Sequence, residues 1–141
     1  GLVSDRALIA ESAKPEGPSG LEGKLKEFFG DRLLKFSATQ IYNMPGKYNV
    51  EVRFAGRLSK NEIERDMAKA YRIIYDVGPI SVHEAWMFAY MHLTDKYGQR
   101  KEELVYKTSL QSDEAAKINW SEMILVNFPA TWKPLFLHGA L

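Results

Sequence analysis

Two apolar, β-prone runs, Val82–Thr94 and Glu103–Leu110, flank the polar turn Asp95-Lys96-Tyr97-Gly98, and this pattern constrains the fold of the chain more than any other. Arms of this length around a short turn that ends in glycine predict a β-hairpin, with a type I turn and Gly98 in the left-handed position. A chain that carries such a hairpin must build a sheet and bury at least one of its faces. In the first arm Val82, Trp86, Phe88 and Tyr90 fall on one side, and Ala85, Met87, Ala89, Met91 and Leu93 on the other. Both sides are apolar, as in a strand that is central in its sheet or lies at an interface. In the second arm Leu104, Tyr106 and Leu110 share a face opposite Glu103, Val105, Lys107 and Ser109, which predicts a half-wet strand.

The flanking elements follow from periodicity and punctuation. Residues 10–20 hold two prolines and two glycines and read as a linker, so residues 1–20 are expected to be a flexible leader or tether and residues 21–141 a single α+β domain. Ser19 and Glu22 have capping-box spacing ahead of a helix over Leu21–Lys35, with Leu21, Leu25, Phe28, Phe29 and Leu33 on one stripe and Gly30 interrupting it. After a turn at Tyr42–Lys47, strict alternation over Tyr48–Ala55 predicts a strand with Tyr48, Val50, Val52 and Phe54 inward and Asn49, Glu51 and Arg53 outward. Ser59 and Glu62 open a second helix to Asp76, carrying Ile63, Met67, Tyr71 and Ile74 on its stripe, and Gly78-Pro79 ends it. A short helix from Ser112 to Trp120 and an apolar strap over Ser121–Leu141, broken by Pro129 and Pro134, complete the chain. The expected architecture is α+β: a small antiparallel sheet of three or four strands with helices packed on one face.

Composition removes several function classes. The chain has no cysteine, so disulfides, thiolate-bound zinc, iron–sulfur clusters and thiol catalysis are excluded. Nineteen basic residues against eighteen acidic ones give a net charge of +1, and the local groups Arg53-Arg57-Lys60 and Lys96-Arg100-Lys101 are diluted by Glu51, Glu62, Glu64, Glu102 and Glu103. No nucleic-acid partner is expected from that balance. No apolar run reaches the roughly 18–20 residues that span a bilayer. Residues 1–9 lack the basic start and apolar block of a signal peptide, which leaves a cytoplasmic protein or a chain that begins after its targeting segment.

Catalytic and metal-binding patterns are sparse. His83 and His92 have opposite parity on one strand and so point to opposite faces, which spoils a shared metal site. There is no Gly-x-Ser-x-Gly elbow and no phosphate loop, and no cofactor is implied. Glu84 stands out as a carboxylate between Val82 and Trp86 on an otherwise apolar strand; it reads either as an acid or base, or as the partner of Arg53 or Arg57. If helices cover one sheet face only, the other apolar face of the first arm must meet the N-terminal segment, the C-terminal strap, a partner chain or a ligand. The leading expectation is therefore a non-enzymatic domain that binds a protein partner, or a second copy of itself, around Trp86, Met87, Phe88, Tyr90 and Met91. The alternative is a small cone-shaped α+β enzyme or ligand-binding domain whose pocket holds Glu84, His92 or Tyr106.

At Leu93-Thr94-Asp95-Lys96-Tyr97-Gly98, Val105-Tyr106 and Lys117-Ile118-Asn119-Trp120 the chain resembles uncharacterised extracytoplasmic domains of secreted proteins and lipoproteins of Gram-positive bacteria. The resemblance covers about residues 48–140. It implies a cell-envelope or secreted domain on an N-terminal tether, whose ligand would be a protein or other cell-envelope component, with no catalytic residues to carry over. Membrane contact would run only through an anchor upstream, since the lipid-bearing cysteine of such proteins is absent from these residues.

Overall fold

A computed structural model describes residues 17–123 and 125–141; most of the expected leader, residues 1–16, lies outside the described residues. Helix α1 covers Gly17–Phe29 and so begins before Leu21. Pro18 and Ser19 sit in its first turn, where backbone N–H groups have no acceptor within the helix and a proline does no harm. The helix stops at Phe29, short of Lys35, because Gly30 takes a φ of +59°. A 3-10 turn over Gly30–Arg32 then feeds a strand absent from the sequence expectation, β1 (Leu33–Gln40).

Strand β2 (Lys47–Ala55) returns antiparallel to β1 through a turn closed by Ile41 N–H to Lys47 O at 3.0 Å. Helix α2 (Lys60–Arg72) has the expected cap: Ser59 Oγ accepts from the Glu62 N–H at 3.1 Å. It runs into a π-helical turn, Ile73–Val77, and ends at Gly78. A Cβ at Gly78 would lie 2.7 and 2.8 Å from the carbonyl oxygens of Ile74 and Ile73, so the chain can leave the helix there only with a glycine.

The hairpin is β3 (Ser81–Thr94) with β4 (Arg100–Gln111), longer at both ends of its second arm than alternation indicates. Its turn matches expectation: Gly98 has a φ of +78°, and Asp95 Oδ1 accepts from the N–H groups of Tyr97 and Gln99 at 2.8 and 2.9 Å. Helix α3 spans only Ser112–Ala115, short of Trp120. A 3-10 segment, Leu125–Ala130, and a fifth strand, β5 (Lys133–Leu137), follow within the expected strap. Pro134 is compatible with β5 because that strand is at the sheet edge.

The fold is therefore α+β with three helices among the described residues, but its sheet is larger than expected and mixed. The five strands lie in the order β1-β2-β3-β4-β5, with β2 and β3 parallel and every other pair antiparallel. Helix α2 makes the crossover that a parallel pair requires. Leu21, Leu25 and Phe29 of α1, Ile63, Met67 and Tyr71 of α2 and Ile74 of its π-helical turn join Val50, Val52, Phe54, Ala85, Met87 and Ala89 in one core. The strap seals the end of that core with aromatics: Phe128 lies 5.4 Å from Trp132 and from Trp120, ring centre to ring centre, and Tyr71 lies 5.7 Å from Trp132.

Two bulges correct the expected facing of the hairpin. His83 is an extra residue between Val82, opposite Tyr48, and Glu84, opposite Asn49, so Val82 joins the core side instead of sharing a face with Trp86. Val105 is likewise extra and fully buried; Tyr106 lies opposite Ala89 on the core side while Leu104 lies opposite Tyr90 on the far side. A one-residue insertion reverses the parity of everything beyond it.

Candidate functional site

The sheet face away from α1 and α2 is the candidate site. Along β3 it carries Glu84, Trp86, Phe88 and Tyr90; β2 contributes Asn49, Glu51 and Arg53 in register beside them, and β4 contributes Gln111, Ser109 and Lys107 on the other flank. Of the five residues expected to bind a partner, Trp86, Phe88 and Tyr90 share this face. Met87 is fully buried in the helix-side core and Met91 packs against that core, because alternation along β3 sends both to the opposite side.

The aromatic row is not bare. Arg53 lays its guanidinium 4.1 Å from the centre of the Phe88 ring and 5.9 Å from that of Tyr90, and it donates a hydrogen bond to the Tyr90 hydroxyl. Lys107 brings Nζ to 4.9 Å from the Phe88 ring on the other flank. Phe88 is left only 7% exposed, held under two cations, whereas Trp86 and Tyr90 are half-buried. Glu51 balances Arg53 at 3.7 Å. Such cation–aromatic contacts contribute about 0.5–2 kcal/mol each and fix long, otherwise mobile side chains in place. Asn49 Oδ1 on the same face is buried without a hydrogen-bond partner among the described residues.

Toward the end of the face, Glu84, Trp86, Ser109, Gln111, Glu114, Thr131, Lys133 and Leu135 line a cleft of about 400 Å³ between the sheet, α3 and β5. The three residues of the expected alternative pocket do not meet there. Glu84 lines the cleft, but His92 is exposed at the far end of β3, 3.6 Å from Glu102, and Tyr106 faces α2, where its hydroxyl donates to Glu64 at 2.8 Å. Burial and the Glu64 carboxylate push the Tyr106 hydroxyl well above the ordinary phenol range. Glu84 takes neither expected arginine: Arg53 pairs with Glu51, and Arg57 lies 3.9 Å from Asp66, which Arg32 holds at 2.7 Å.

Among the described residues no group of three or more histidines or carboxylates is placed to hold a metal ion, and no helix is long and apolar enough to cross a membrane. Sequence reasoning gave Arg53 and Lys107 no role at the aromatic row. Their place depends on β2 and β4 lying on either side of β3, and a parallel β2–β3 pair leaves no local sequence signal. The chain matches no protein-family model, no curated protein and no solved structure.

Proposed function

We propose that the protein is a non-catalytic binding module that takes a protein partner on the open sheet face. One observation carries this: Trp86, Phe88 and Tyr90 form a row on the central strand, on the side away from α1 and α2, with Arg53 and Lys107 fixed over the middle ring. Tryptophan, tyrosine and arginine are the residues that most often dominate binding energy at protein interfaces, above all where packing already holds them in place. Lys35 and Lys107 on this face have no carboxylate within ion-pair distance among the described residues, which favours a partner surface that sets acidic side chains among apolar ones. The resemblance at the hairpin turn and at Ile118-Asn119-Trp120 supports an extracytoplasmic setting for this binding.

Site-specific photo-crosslinking in the source cells tests the reading. A crosslinker at Lys35, on the open face, is compared with one at Lys69, on α2. The expected result is a discrete adduct with an acidic protein from position 35 alone, lost on Arg53→Glu and weakened at least several-fold by Tyr90→Ala. Equal adducts from both positions, or insensitivity to Arg53→Glu, would refute it. A dimer of this chain as the adduct would replace the heterologous partner with self-association.

A further inference from the structure

The cleft beside Trp86 has a different chemistry from the aromatic row, and it goes beyond the binding-module reading without depending on it. We infer that it takes a neutral or amino-substituted saccharide unit. Its apolar component is one half-buried indole with Leu110 and Leu135. Around them stand hydrogen-bonding groups of both senses: Glu84 and Glu114 accept, Lys133 donates, and the Gln111 amide does both. Sugar hydroxyls donate and accept in alternation around a ring whose C–H faces are apolar, so an indole rimmed by mixed donors and acceptors fits them. A purely apolar ligand would leave these polar groups without partners on its side of the cleft. Two carboxylates against one ammonium disfavour a phosphate or any other polyanion.

The rim is uncommitted. Among the described residues Glu84, Gln111 and Lys133 make no side-chain hydrogen bond or ion pair, whereas Lys117 engages Glu114 at 2.9 Å and the Thr131 hydroxyl donates to the Phe128 carbonyl at 2.7 Å. The volume of about 400 Å³ lies within the ~300–1,000 Å³ span of small-molecule sites. The second cleft that contains a tryptophan is lined by Ala68, Lys69, Arg72, Trp120, Met123 and Phe128, and it has no carboxylate or amide to receive hydroxyls, so it serves as the internal control.

The experiment is a two-dimensional amide NMR titration of the whole chain with N-acetylglucosamine, its β1,4-linked disaccharide, cellobiose and maltose. The expected result is a saturable shift of the Trp86 indole N–H and the Gln111 side-chain amide with at least one of the four. Gln111 and Lys133 are exposed, so Gln111→Ala and Lys133→Ala keep the fold, and each should weaken binding by about 2–10-fold, the equivalent of one hydrogen bond. Trp86→Ala should abolish the saturable shift while the remaining resonances keep their dispersion. Three results would overturn the inference: no saturable shift with any of the sugars through the millimolar range, shifts centred on Trp120, or undiminished affinity in both rim variants. None of these touches the crosslinking result at Lys35, so the two readings fail separately.

Discussion

Tyr71 and Thr108 provide the sharpest test of how α2 is locked to the sheet. Both are fully buried, and their hydroxyls lie 2.8 Å apart, one on the helix and one on β4. Thr108 Oγ1 also lies 3.5 Å from Met67 Sδ, a second and weaker partner. Thr108→Val preserves shape and leaves the Tyr71 hydroxyl buried with no partner, which should cost about 2–3 kcal/mol, the upper part of the range for an orphaned buried group. Tyr71→Phe should cost less, about 1–2 kcal/mol, because the Thr108 hydroxyl keeps its thioether contact. The double variant removes both polar groups and should lie within about 1 kcal/mol of wild type. The cycle then gives a coupling of about −2 to −5 kcal/mol, and the single variants should melt several degrees lower at roughly 3–5 °C per kcal/mol for a chain of this size. Urea unfolding followed by tryptophan fluorescence, with equal slopes for all four proteins, measures it. A double variant equal to the sum of its singles, or single variants within about 0.5 kcal/mol of wild type, would refute the lock.

Three further outcomes follow from the same packing. Phe128→Ala, at a site 1% exposed among Tyr71, Trp120 and Trp132, should cost about 3–5 kcal/mol and shift tryptophan emission to the red as the strap loosens. Gly78→Ala should cost about 1–3 kcal/mol in thermal unfolding, since the new Cβ meets two backbone carbonyls that cannot rotate away. Burial raises the hydroxyls of Tyr71, Tyr75 and Tyr106 above their unfolded value near 10. The folded state therefore holds more protons than the unfolded state once pH passes 10; stability is complete below that value and falls as pH rises through the folded values. An alkaline titration at 295 nm should show these phenols ionising together with loss of helix signal by circular dichroism, and their ionisation in a still-folded protein would contradict the burial.

Where one element carries its own signal, the sequence reads true. The cap at Ser59, the stripe Ile63-Met67-Tyr71-Ile74, the alternation of β2 and the Asp95–Gly98 turn are each decided within a few residues, and each stands as expected. Strands β1 and β5 were not legible because both lie at sheet edges. Phe36 and Ala38 are only half-buried on β1, and all five residues of β5 are exposed, so neither has the alternation of a strand with one dry face. The bulges at His83 and Val105 were hidden for a different reason: an inserted residue has no composition of its own and shows only against its neighbour's register. For the site, parity alone separated Trp86, Phe88 and Tyr90 from Met87 and Met91. The cations over Phe88 needed the order of strands in the sheet, and Glu84, His92 and Tyr106 were scattered by the length of β3 and the Val105 bulge.

The parallel seam between β2 and β3 also sets the order in which the molecule can assemble. Both antiparallel hairpins close over short turns, so β1–β2 and β3–β4 can each form within microseconds from neighbours in the chain. The seam cannot: Lys47 meets Ser81 only after α2 has folded and swung the second hairpin alongside the first. Substitutions in α2 that weaken its grip on the sheet, Tyr71 and Met67 foremost, should therefore slow refolding, and lesions in either turn, whose hairpins form ahead of the seam, should slow it too with little effect on unfolding.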